Sequence, residues 1–176
     1  MNIKIRHTIG LYLAMVLLTV PQVMHAQWFG SKSDMLNTLR MMVNGDWELP
    51  AIISLNSDDR IEFSFDEMSH QYHRFKYNIQ HCDAQWKPSD ILESDYLDGF
   101  NGETIDDWQN SFNTTFDYTH YKLVMPNGQV NLKLSGNYRL SIREDDREVA
   151  YFKFCITEGR PLLSASVTSL DRKSVV

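Results

Sequence analysis

Three stretches of this chain alternate apolar and polar side chains one by one. In Arg60–Asp66, Ile61, Phe63 and Phe65 take one side, and Glu62 and Ser64 the other. In Arg74–Ile79, Phe75, Tyr77 and Ile79 oppose Lys76 and Asn78. In Asn137–Arg143, Tyr138, Leu140 and Ile142 oppose Arg139 and Ser141. A period of two is the side-chain period of a strand with one buried face, whereas a helix repeats every 3.6 residues. "LRMMV", "AIISL", "HYKLVM", "VNLKL" and "VAYFKFCIT" read as further strands. Turn formers stand between them: Pro126-Asn127-Gly128, Ser135-Gly136-Asn137 and Asp145-Asp146-Arg147. Asn127-Gly128 predicts a hairpin between "HYKLVM" and "VNLKL". No long segment carries helical periodicity. The expectation is an all-β fold, an antiparallel immunoglobulin/fibronectin III-like β-sandwich of about seven to eight strands with one long loop.

That loop spans residues 83–110. It holds Asp83, Asp90, Glu93, Asp95, Asp98, Glu103, Asp106 and Asp107 against one base, Lys87. Its aromatics, Trp86, Tyr96, Phe100 and Trp108, argue against disorder, and loops of this length are commonly functional. Asp90 and Glu93 have the spacing of an N-cap and N3 pair for one helical turn.

The two ends read differently from the middle. Residues 1–26 carry Lys4 and Arg6, then an apolar run from Ile9 to Val20, and end at Ala26. This is the pattern of a cleaved signal peptide, and the run is short for a membrane span. Its removal takes the formal charge of the 176-residue chain from −6 to −8. An acidic protein of this kind is a poor ligand for nucleic acid or an anionic membrane surface. Residues 27–160 are expected to form the sandwich, and 161–170 a linker or the start of a further domain. The last six residues, "DRKSVV", fit no preceding pattern, and their back-translation reads as the start of a common sequencing adapter. Residues 171–176 are therefore expected to be an artefact.

Reactive chemistry is hard to build from this chain. His81, Cys82 and Asp83 are adjacent, but neighbours on a strand point to opposite faces, so His81 is badly placed to deprotonate Cys82. Cys82 falls with Gln80, and Cys155 with Lys153, off the main core face. A disulfide between Cys82 and Cys155 stays open, subject to a Cα separation within about 7 Å. His70, His73, His81 and His120 lack zinc-type spacing. Asp95, Asp98, Asn101 and Glu103 offer oxygens for calcium without the EF-hand pattern. No phosphate loop, nucleophile elbow or paired catalytic carboxylates can be picked out. The expectation is a chain that is not an enzyme and takes no cofactor and no metal.

Several strings in order resemble one family. These are "HCDAQW", "SDYLDGF", "SFNTT", "YTHYKL" and "LSGNYRL", within a likeness over about Leu39–Glu158. They resemble the N-terminal domain of the plug protein of the type IX secretion system. The resemblance implies a non-enzymatic periplasmic protein that docks on the periplasmic side of the outer-membrane translocon barrel and closes it. The long loop then supplies the candidate contacts: Trp86, Tyr96, Leu97, Phe100 and Trp108. Aromatic anchors within a charged rim suit an interface. The same aromatics also suit the alternative of a periplasmic glycan-binding module.

Overall fold

A computed structural model describes residues 28–159. The leader at 1–26, the segment 161–170 and the terminal 171–176 lie outside the described residues. Among the described residues twelve strands occur: β1 (Phe29–Ser31), β2 (Leu36–Val43), β3 (Ile52–Ser54), β4 (Ile61–Glu67), β5 (Lys76–Cys82), β6 (Leu97–Asp98), β7 (Glu103–Thr104), β8 (Asp107–Asn110), β9 (Thr119–Met125), β10 (Asn131–Leu132), β11 (Gly136–Glu144) and β12 (Arg147–Thr157). One helical turn, α1, covers Glu93–Tyr96. The all-β expectation holds. The strand count is higher than the sequence implied because several strands have only two to four residues and no readable period.

The strands form two main sheets. The first runs β1-β12-β11-β5-β7, with β3 also on β12; the second runs β2-β4-β9-β8. β3 is the exception to antiparallel pairing, lying parallel to the end of β12. All three alternating stretches are strands whose apolar side is buried. Ile61, Phe63 and Phe65 of β4 face Tyr77 and Ile79 of β5 and Tyr138, Leu140 and Ile142 of β11 in one core cluster. Burying each such side chain contributes about 1.5–3 kcal/mol.

The turn signals fare unevenly. Asp145 and Asp146 both have positive φ, at 44° and 64°, and join β11 to β12. Two positive-φ residues are what a two-residue hairpin turn of type I′ requires. Asn127 also makes a tight turn, its N–H donating to Val130 O at 3.0 Å. The outgoing strand does not return along β9, however. β10 pairs with β6 instead, Leu132 opposite Leu97. Gly99, with φ +111°, permits that pairing, since a Cβ there would stand 2.1 Å from Gln129 O.

The long loop clasps the open edge of β5. Ser89 N–H donates to His81 O at 3.0 Å, and Gly102 N–H to Tyr77 O at 2.9 Å. Between them the Asn101 side chain replaces a strand. Its Oδ1 accepts from Ile79 N–H at 2.6 Å and its Nδ2 donates to Ile79 O at 3.1 Å. An exposed sheet edge is a template for aggregation, so covering it has a physical purpose. α1 forms where the sequence placed a helical turn, but its N-cap is Leu92, without a side-chain cap, so Asp90 does not serve.

Asn101→Ala removes both contacts to Ile79. We expect a loss of about 1–3 kcal/mol, the cost of leaving backbone groups unpaired. Urea unfolding measures it; a change below about 0.5 kcal/mol would show that the side chain does not hold this edge.

Candidate functional site

The five loop residues singled out from sequence do not form one surface. The turn after β5 is drawn together by Asp83, whose Oδ1 accepts from Gln85 N–H at 2.8 Å and Lys87 N–H at 2.9 Å. This carries Trp86, at φ +63°, back over the outer face of the first sheet. Its ring meets Trp28 edge-on at 5.8 Å, and Lys153 Nζ lies 5.1 Å from its centroid. Tyr96 and Leu97 are buried, with 7% and 3% of their surface exposed. Tyr96 O–H donates to Ile79 O at 3.3 Å, and its ring lies near Tyr138 at 6.1 Å. These two residues anchor the loop to the core and are unavailable to a partner in this conformation. Phe100 is 76% exposed and Trp108, on β8, is 42% exposed. Trp108 packs against Tyr72 at 5.5 Å.

Two strongly exposed aromatics were missed in the sequence. Phe112 and Phe116 are 85% and 72% exposed on the connection between β8 and β9. Ser111 closes its base: its N–H donates to Tyr118 O at 2.8 Å, and its Oγ accepts from Tyr118 N–H at 3.1 Å. His70 Nε2 adds a contact to Ser111 Oγ at 2.8 Å. The available signal was two phenylalanines inside the polar turn "SFNTTFDY", where no alternation assigns them a buried face. A second apolar region lies elsewhere. Phe29, Leu39, Met41 and Trp47 line a cleft of about 510 Å³.

Strand geometry separates the His-Cys-Asp triplet. His81 turns inward, its ring edge-on to Tyr138 at 5.0 Å and its Nδ1 2.7 Å from Ser89 Oγ. Gly136 makes room for it, because a Cβ there would come within 2.3 Å of His81 Nε2. Cys82 turns to the outer face, where burial pushes its thiol above the ordinary value. Burial does the same for Cys155. Both thiols are thereby held in the weakly nucleophilic, protonated form.

The disulfide left open by the sequence does not form; both cysteines are free. Each pairs in register with Asn137, Cys82 from one side of β11 and Cys155 from the other. A whole strand therefore lies between them, a backbone separation of about 10 Å, beyond the reach of a disulfide. Asn137 Oδ1 accepts from Cys155 Sγ at 3.1 Å.

On the same outer face Glu148 receives both arms of Arg139, at 2.6 and 2.7 Å, and Lys32 at 2.6 Å. Burial alone would raise the Glu148 carboxyl. The hydrogen bonds from Arg139 and Lys32 outweigh it and pull the group from 4.5 to about 2. The Arg139 guanidinium also lies over the Tyr151 ring at 4.9 Å.

Two facing sheets, a clasped edge, and aromatics left at the surface define a β-sandwich-like protein suited to making contacts. Residues 36–158 match the family described as Type 9 secretion system plug protein 1st domain, and the chain belongs to that family. A crystal structure of a hypothetical protein from Parabacteroides merdae ATCC 43184 is 34% identical, with a TM-score of 0.72. The match covers 74% of this chain and 34% of that one, so this chain spans about a third of that protein. A DNA-bound alkylpurine DNA glycosylase from Pseudomonas fluorescens aligns at 12% identity and a TM-score of 0.34, over 69% of this chain and 30% of that one, which carries no argument. No curated protein matches the chain.

Two measurements follow from this geometry. Thiol titration in denaturant without reductant should count two thiols per chain, and reductant should leave the mass unchanged; a gain of two mass units would show a Cys82–Cys155 bond. Glu148 has a folded pKa below its unfolded value. Its stabilisation is therefore present above pH 4.5 and is lost as pH falls towards 2. Melting temperature should fall more steeply across that window in the wild type than in Glu148→Gln, and parallel curves would sink the assignment.

Proposed function

We propose that this chain is a non-enzymatic periplasmic component of the type IX secretion system that binds the outer-membrane translocon barrel and closes its periplasmic opening. The observation that carries the reading is membership of the plug family over residues 36–158. The physical form suits it. A closure element needs a rigid body with a contact surface, and here two sheets share one aromatic core while Phe100, Trp108, Phe112 and Phe116 stay at the surface. No helix among the described residues is long and apolar enough to cross a membrane. Residues 1–26 act, in this reading, as a cleaved leader, with the mature chain starting at Gln27.

The sandwich is proposed to be of the immunoglobulin/fibronectin III type. The order β2-β4-β9-β8 opposite β5-β11-β12 corresponds to strands A-B-E-D opposite C-F-G, which supports that assignment. The glycan-binding alternative is less favoured, because sugar stacking wants neighbouring rings on one platform. Trp86 lies on the outer face of one sheet, and Trp108 on the edge strand of the other.

Tagged full-length protein should recover the translocon barrel from detergent-solubilised outer membranes, and N-terminal sequencing of the bait should begin at Gln27. Absence of the barrel from the recovered material would count against the reading.

A further inference from the structure

One edge of the fold is left open. β8 pairs with β9 alone among the described residues, and all four of its residues are exposed. The Ser111 N–H donates to Tyr118 O and the Tyr118 N–H to Ser111 Oγ, so the backbone groups of that opposed pair face each other across the hairpin. Antiparallel pairs alternate, which turns the backbone groups of Gln109 and Asp107 towards β9 as well. Trp108 and Asn110 therefore point their N–H and C=O groups away from the sheet.

Other edges are blunted in recognisable ways. β5 is clasped by Asn101 and β7, and β12 is covered by β1 and β3. β2, the opposite edge of the same sheet, is broken between Asn37 and Arg40, where Thr38 has φ +52°. β8 carries no bulge, no proline and no lysine, three of the usual protections of an edge strand; its four residues include one charge, Asp107.

Its surroundings give the occupant a chemistry. Trp108 of the strand packs at a tilt against Tyr72, and Phe112 and Phe116 stand at the tip of the same hairpin. Asp106, Asp107 and Asp117 are exposed around it, Asp117 with His70 Nε2 at 3.6 Å. The one lysine on β9, Lys122, is engaged by Asp107 at 3.5 Å and Glu62 at 4.0 Å. An open strand edge with apolar anchors and a surplus of carboxylates complements an extended segment carrying Lys or Arg between apolar residues. We infer that β8, with Phe112 and Phe116, takes such a segment of a partner protein by strand addition. The inference rests on the translocon reading and identifies the face that meets the barrel.

The test measures binding of full-length protein to the purified barrel in detergent at two salt concentrations. The variants are Phe112→Ser with Phe116→Ser, Asn110→Pro, and Asp107→Lys with Asp117→Lys. Leu92→Ser, at an exposed residue away from β8, and Asn110→Ala serve as controls, and melting temperatures confirm folding. Each variant should weaken binding about tenfold or more, as interface anchors do, and wild-type binding should fall with salt. Asn110→Ala keeps the outward N–H and should bind as the wild type does, as should Leu92→Ser. If the wild type binds and all variants bind equally well, the β8 face is wrong and the translocon reading stands. Full binding by Asn110→Pro alone overturns strand addition. No binding by the wild type overturns both.

Discussion

Phe63 of β4 packs against Phe152 and Phe154 of β12, with ring centroids 5.3 Å from each. Those rings come from opposite sheets, so this contact holds the two layers together. At one end of the core Phe65, Phe75 and Tyr121 form a second knot, Phe65 stacked on Tyr121 at 5.3 Å and Phe75 edge-on to Tyr121 at 4.8 Å. Such pairs contribute about 0.5–1.5 kcal/mol beyond burial itself. Everything outside these layers is positioned by them. The loop after β5 has a fixed edge to clasp, and the β8–β9 hairpin has a rigid base from which to project.

The clasp changes how the acidic loop is understood. Length, acidity and aromatic content made residues 83–110 look like a single binding loop. The fold divides it among several tasks. Tyr96, Leu97 and Ile105 are buried in the core. Asn101 satisfies the Ile79 backbone. Trp86 covers the outer face beside Lys153. Only the part ending in β8 is left with both an open backbone edge and exposed aromatics. Asn101 was also one of the oxygens considered for calcium, and both of its polar atoms are occupied by backbone.

The legibility of each feature follows from how far its cause extends along the chain. β4, β5 and β11 could be read because alternation is local: each residue's face is set by its neighbour. The separation of His81 from Cys82 could be read for the same reason. The turn at Asn127 was legible too, since its hydrogen bonds close within four residues. The partner of the strand that follows was not. β10 finds β6, more than thirty residues earlier in the chain, and nothing local encodes that choice.

By itself the sequence determined the fold class, the buried faces of the main strands and, through its ordered strings, the family. Tertiary structure decided which strands are neighbours. That ordering put β11 between Cys82 and Cys155 and kept them apart. It brought Asn101 to Ile79, and it left β8 rather than the whole acidic loop at an open edge. The physical reason is that side-chain alternation is a property of consecutive residues, while pairing across a sheet depends on which distant segments bury their faces together.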